Sequence, residues 1–226
     1  MPEFIEIPSP GWPLQFGEPG RPGIVIVHDA YGRLPYLEAY GRALAGQGFF
    51  VVLPDLFGGV ATVDEAGAAE LQAALDPGFA MAALDDAVAL ARTPDGPAPD
   101  SAGPAGDSVR VGLIGLGLGG RFALRVAQSG AADAVVAYYA LLGDDEGGVI
   151  PCSVLLHRSD DGDWTGGVDP DDFVGRLKEH GTPVTQHRYA AREGFANATL
   201  LHLLDKNAAA LAFARSTYFL QAQLLD

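Results

Sequence analysis

Short apolar runs recur along this chain with stretches of helical spacing between them, and that alternation predicts an α/β fold. The runs read as strands cover residues 24–27, 49–53, 109–114, 134–139, 153–157 and 185–189, with a short edge pairing over 4–7. They are almost continuously apolar rather than alternating, which is the pattern of parallel strands covered on both faces. Helical spacing occupies 34–47, 81–92, 120–128, 170–180 and 207–224, and Gly48 stands where the first of these helices would be capped. Residues 93–108 are Pro, Gly, Ser and Asp without a bulky anchor, so they read as a solvated surface loop with little to cover a ligand. The Ala-rich stretch 58–78 has room for a short helix capping a site.

With 226 residues, 48% of them apolar, the chain can bury a substantial core, and the expectation is one domain over 1–226. Fourteen basic against twenty-nine acidic residues leave a formal charge of −15, the wrong sign for nucleic acid or an anionic membrane surface. The N-terminal residues lack a basic segment followed by an apolar run, and no stretch approaches the ~18 apolar residues of a membrane span. A soluble, cytoplasmic protein is expected. Cys152 is the sole cysteine; it sits in an apolar strand and reads as a small buried hydrophobe.

Chemistry concentrates in VRVGLIGLGLGGRFAL, residues 109–124, a strand followed by a glycine-dense turn and a helix start. Two readings compete there. As G-x-G-x-x-G, Gly115, Gly117 and Gly120 would let a pyrophosphate approach the backbone, with Asp144 and Asp145 near the spacing of a ribose-binding acid. That dinucleotide reading is weakened by more than a hundred structured residues before the motif and too few strands after it. As the hydrolase elbow G-x-Nuc-x-G, Gly115 to Gly119 put Gly117 at the nucleophile position.

The flanking residues favour the elbow. The segment 23–59, with His28, Asp29, Gly32, Pro54, Asp55 and Leu56, together with VGLIGLGLGGRFAL, VVAYYALLG and RYAAREGFAN, resembles the dienelactone hydrolase family over nearly the whole chain. The resemblance implies an α/β-hydrolase fold and, in ordinary members, hydrolysis of lactones and small esters by a Cys-His-Asp triad. Carried across, the cysteine falls on Gly117 and the histidine on Glu193. The aspartate falls on Gly162, with Asp161 or Asp163 one residue away. An arginine that helps hold the substrate carboxylate in some members falls near Asn197.

Glycine supplies neither nucleophile nor base, so covalent catalysis at Gly117 is excluded. The oxyanion hole is backbone, and the resemblance places it at the N–H groups of Leu118 and Ala30, so an anion-stabilising pocket can outlive the nucleophile. Asp29 and Glu193 are the candidate proton carriers, since two carboxylates sharing a cavity push one ionisation upward. Against this, Asp29 reads equally as a helix cap and Glu193 as a solvated neighbour of Arg192. His28, Tyr31 and Leu116 are candidate pocket residues beside them, as is His157 at its strand end. His187 and His202 lack metal-ligand spacing with each other or with the acids, so neither a metal nor a cofactor is expected. Three functions stay open: a cofactor-free acid–base enzyme (isomerase, cyclase, lyase or dehydratase) on a small carbonyl-containing or lactone-like molecule, a silent ligand- or protein-binding homologue, or a hydrolase that activates water with a carboxylate.

Overall fold

The computed structural model describes residues 2–8, 10–94, 109–162 and 167–225. Most of the expected loop 93–108 therefore lies outside the described residues, as does Asp163. In chain order the elements are β1 (Phe4–Glu6), β2 (Leu14–Phe16), β3 (Gly23–Val27), α1 (Tyr36–Ala45), β4 (Phe50–Leu53), β5 (Val60–Thr62), α2 (Glu65–Ala74) and α3 (Pro77–Ala91). They continue with β6 (Val111–Leu116), α4 (Leu118–Gln128), β7 (Ala134–Tyr138), a 3-10 turn, β8 (Ser153–Asp161), α5 (Pro170–Glu179), β9 (Val184–Arg192) and α6 (Lys206–Leu224).

Seven strands form one sheet in the order β2-β4-β3-β6-β7-β8-β9, parallel throughout except for the β2 edge. This is the predicted α/β-hydrolase fold. The period-2 alternation of buried strands divides the core. Ile24, Ile26, Ile114 and Leu116 pack under α1 and α6, while Val25, Val27 and Leu113 pack under α3, α4 and α5. Among the described residues no helix is long and apolar enough to cross a membrane.

Several bounds differ from the sequence reading, for local reasons. The helix expected from residue 81 begins at Pro77, because the Asp76 carboxylate accepts the Phe79 N–H and proline suits the first helical turn. The segment near residue 4 pairs with β5 in a separate two-stranded sheet rather than on the main edge. The strand expected to stop at His157 runs on to Asp161 because β9 continues pairing with it, across a register shift at Ser159. His157 is therefore a mid-strand residue, and its side chain faces α6. There it joins a buried chain: Nδ1 meets the Tyr189 hydroxyl at 2.8 Å and Nε2 meets the Ser216 hydroxyl at 2.8 Å. Ser216 continues to Tyr138 and Tyr138 to Tyr40.

The glycine-dense turn has a packing explanation. A Cβ on Gly119 would overlap the carbonyl oxygens of Val27 and His28, one on Gly115 would overlap the Gly119 carbonyl, and one on Gly120 would lie 2.7 Å from the Ala140 methyl. Gly115 and Gly119 let α4 lie directly on the backbone of β3 and β6, and Gly120 leaves room for Ala140 after β7. Gly117 differs, since nothing comes nearer than 3.7 Å to a Cβ placed there.

Two outcomes follow from this packing. Gly119→Ala meets immovable backbone and is expected to cost about 3 kcal/mol or more, whereas Gly117→Ala has open space and costs only the ~1–3 kcal/mol of a sparsely populated positive-φ backbone, both read from urea unfolding midpoints. Burial, with smaller contributions from His187 and Arg215, pushes the His157 imidazole down to about 3. A depressed histidine favours the neutral form in the fold, so its contribution is intact above pH 6.5 and is lost as pH falls toward 3. Stability measured between pH 6.5 and 4 should therefore fall more steeply in the wild type than in His157→Gln, by up to ~1.4 kcal/mol per pH unit.

Candidate active site

In an open parallel sheet the loops beyond the carboxyl ends of the strands converge on one rim, and here they enclose a cleft of about 410 Å³. Asp29, Ala30 and Tyr31 enter it from the loop after β3, Gly117 and Leu118 from the β6–α4 turn, and Tyr139 from the end of β7. Asp161 and Gly162 contribute from the end of β8, Arg192 and Glu193 from that of β9, and helix α2 supplies a wall with Glu65 and Gln72. The Ala-rich stretch does contain the expected helix, anchored by the Asp64 carboxylate on the Gly67 N–H.

The turn itself is the sharp strand-to-helix elbow. Gly117 takes φ 49° and ψ −115°, its N–H donates to Tyr138 O, and its carbonyl accepts the Arg121 N–H as the first bond of α4. The amides of Leu118, Gly119 and Gly120 precede that first bond, so the helix offers them no carbonyl of its own. A Cβ on Gly117 would point into the cleft. Its nearest neighbours would be the Asp29 Cβ at 3.7 Å, Glu193 Oε1 at 3.7 Å and Tyr139 Cδ2 at 3.8 Å.

The two acids thus flank one small space. Asp29 is only 5% exposed and is held by three donors: the Tyr31 N–H on Oδ1 (3.0 Å), with the Asn197 amide (3.0 Å) and the Tyr36 hydroxyl (3.3 Å) on Oδ2. Burial raises its carboxyl from 3.8 to about 6, even though all three donors pull it down. The helix-cap reading of Asp29 fails, because α1 begins at Tyr36 and its N-cap is Pro35, with no side-chain cap. Glu193 is exposed at the cleft mouth, and its N–H donates to Asp161 O.

Other expectations need correction. His28 does not face the cleft: Nε2 accepts the Leu56 N–H at 3.0 Å, leaving the proton on Nδ1 to meet Asp29 O at 2.8 Å. It ties the Pro-Asp-Leu turn after β4 to the Asp29 loop. Within that turn Asp55 accepts the N–H groups of Phe57 and Gly59. Leu116 is wholly buried under the sheet's α1 and α6 face, and His157 lies in the polar chain described above. Asn197 is fully buried and positions Asp29 instead of touching a ligand, its own oxygen being taken by the Thr199 and Leu200 amides. Asp161 is exposed on the rim, 4.0 Å from Arg192.

Sequence reasoning missed Tyr36, Tyr139 and Glu65. Tyr36 lies seven residues from Asp29 on the next helix, a relation with no periodic signature. Tyr139 has φ 41°, an unfavourable conformation for an aromatic residue, and only the backbone reveals it.

Comparison with known proteins places this geometry in context. A family model described as "Dienelactone hydrolase family" matches residues 14–224. A Methylorubrum extorquens protein described as "Putative carboxymethylenebutenolidase" is 29% identical over 157 residues, which are 67% of this chain and 48% of the relative. The chain thus spans about half the length of the curated relative it matches. A crystal structure of a dienelactone-hydrolase-like promiscuous phosphotriesterase from metagenomic libraries superposes with a TM-score of 0.72 at 20% identity, covering 91% of this chain and 88% of that one. At that identity the likeness shows the fold.

The donor set around Asp29 is directly testable. Its carboxyl carbon should titrate by NMR with a midpoint near 6. In Tyr36→Phe the midpoint should move higher, because the lost bond stabilises the ionised form. An unchanged or lower midpoint would show that Tyr36 does not act on Asp29.

Proposed function

This chain belongs to the dienelactone hydrolase family, and from that premise we propose that it performs non-covalent acid–base chemistry on a small carbonyl compound seated over Gly117. The observation that carries the reading is the space above that glycine: where the resemblance seats a nucleophile, the Glu193 carboxylate oxygen and the Asp29 Cβ each lie 3.7 Å from a Cβ built on Gly117, and burial raises the adjoining Asp29 carboxyl to about 6. A general base works best when its ionisation lies close to the operating pH, and Asp29 meets that condition.

In this reading the carbonyl oxygen lies against the Leu118 and Ala30 N–H groups. Asp29 removes a proton from the neighbouring carbon, and the resulting enolate oxygen is held by those two amides. Glu193, across the space and in contact with solvent, returns a proton at a second position or to a departing oxygen. The first course is an isomerisation and the second an elimination. Asn197 and Tyr36 orient the base, and Tyr139 forms a wall beside the reacting carbon.

A second reading has support in the relative's name and in the same geometry. The space vacated at Gly117 would seat a water, which Asp29 would activate for direct attack on a lactone. The two readings share a base and differ in where the new bond forms.

Incubation of the protein with phenylacetone, acetylacetone and dienelactone in deuterated buffer separates them. Deuterium entering the carbon beside the carbonyl, faster than in buffer and slowed by ~10²–10⁴ in Asp29→Asn, is the expected result. The rate should rise with pH to a plateau, with an apparent midpoint near 6. Ring opening of the lactone without carbon exchange would favour the hydrolytic reading. Exchange that is indifferent to Asp29→Asn, or no better than buffer, would overturn the proposal.

A further inference from the structure

The charge of the cleft points to its substrate class, an inference that rests on the proposed site. Among the described residues lining it are four carboxyl groups, Asp29, Glu65, Asp161 and Glu193, against a single guanidinium, Arg192. That guanidinium is solvent-exposed and sits beside one of the four carboxylates. Its side chain is 70% exposed, and its Nε lies 4.0 Å from the Asp161 carboxylate on the rim. The acids surround the space from several elements: Glu65 from α2, Asp29 after β3, Asp161 at the end of β8 and Glu193 after β9. Two aromatic rings, Tyr31 and Tyr139, complete the lining.

A concave site lined by one sign of charge concentrates ions of the opposite sign, and aromatic faces add attraction for a desolvated cation. The Tyr31 hydroxyl reports the same field: it is pushed up to about 12, first by burial and then by the charges of Glu65, Asp29 and Glu193. A carboxylate-bearing substrate entering this cleft would be repelled from three sides and would find Arg192 only at the mouth.

We infer that the cleft takes a carbonyl compound carrying an ammonium group, with the carbonyl over Gly117 and the cationic end between Glu65 and the ring of Tyr31, and that it rejects the carboxylate analogue. The carbonyl end meets the two amides and Asp29. The cationic end stays at the α2 wall, away from the reacting bonds.

Three probes sharing one aryl ketone test this by calorimetry: the para-acetyl derivatives of phenyltrimethylammonium, of its neutral isostere tert-butylbenzene, and of benzoate. The cation should bind about tenfold or more tightly than the benzoate, with the neutral probe between them, and the ranking should compress as salt rises. Glu65→Lys should abolish the preference for the cation, whereas the remote Glu179→Lys, which changes net charge equally, should leave it. The inference is overturned if the benzoate binds as tightly as the cation. Failure of all three probes to bind at millimolar concentration, or an equal response of the ranking to both lysine variants, overturns it too. Cation preference without deuterium exchange in any cationic ketone would sink the acid–base reading and leave the charge selectivity standing. Exchange with anionic ketones preferred would do the reverse.

Discussion

The constraint on which the cleft depends is backbone lying on backbone. Helix α4 sits so near β3 and β6 that a methyl group on Gly115 or Gly119 would strike backbone, and one on Gly120 would strike the Ala140 side chain beyond β7. That contact fixes where the helix begins, and so forces the chain through the left-handed turn at Gly117 and aims the first free amides of α4 at the rim of the sheet. The cleft follows from it, because the same approach brings the Asp29 loop alongside the turn. Three of the glycines are structural for this reason. Gly117 has open space ahead of it, so packing does not demand a glycine there, although its left-handed φ favours one.

Around that elbow the protein maintains a carboxylate in an unfavourable setting. Raising the Asp29 ionisation from 3.8 to about 6 corresponds to about 3 kcal/mol of disfavoured charge at neutral pH. The sign follows from the direction: the group's contribution is complete below pH 3.8 and is lost as pH rises through 6. Three donors offset part of the burial, and each is itself anchored. Asn197 is held by the two amides on its oxygen, Tyr36 by its helix, and the Tyr31 amide by the loop that His28 ties to the turn after β4. A chain that needed only a stable fold would gain by placing a neutral group at this position. The left-handed Tyr139 beside it is a second local cost at the same rim.

The other buried polar system works in the opposite direction. His157, Ser216, Tyr138, Tyr189 and Tyr40 satisfy one another beneath α6, and the histidine stays neutral because burial removes it from water and His187 and Arg215 further disfavour its charged form. The bonds of that chain join groups on the sheet's α1 and α6 side, away from the Gly117 space. A buried polar network of this kind fixes how α6 seats on the sheet. It contains a serine and a histidine within hydrogen-bond reach, yet both are fully buried, which separates it from the cleft chemistry.

Periodicity and motif order determined the α/β layering, the six parallel strands and the elbow, because alternating burial and close glycine packing are local properties of the chain. The resemblance those motifs carry also implied that Gly117, Asp29 and Glu193 share one site. Short antiparallel pieces such as β2 and β5 escaped notice, since three residues carry no measurable period. Only the tertiary structure decided that His28, His157 and Leu116 turn away from the cleft, that Asn197 supports Asp29, and that Tyr36, Tyr139 and Glu65 belong to the site. Side-chain direction at a strand end depends on how far the neighbouring strand keeps pairing, and helix-to-loop contacts depend on docking angles. Neither quantity is written in the spacing of residues along the chain.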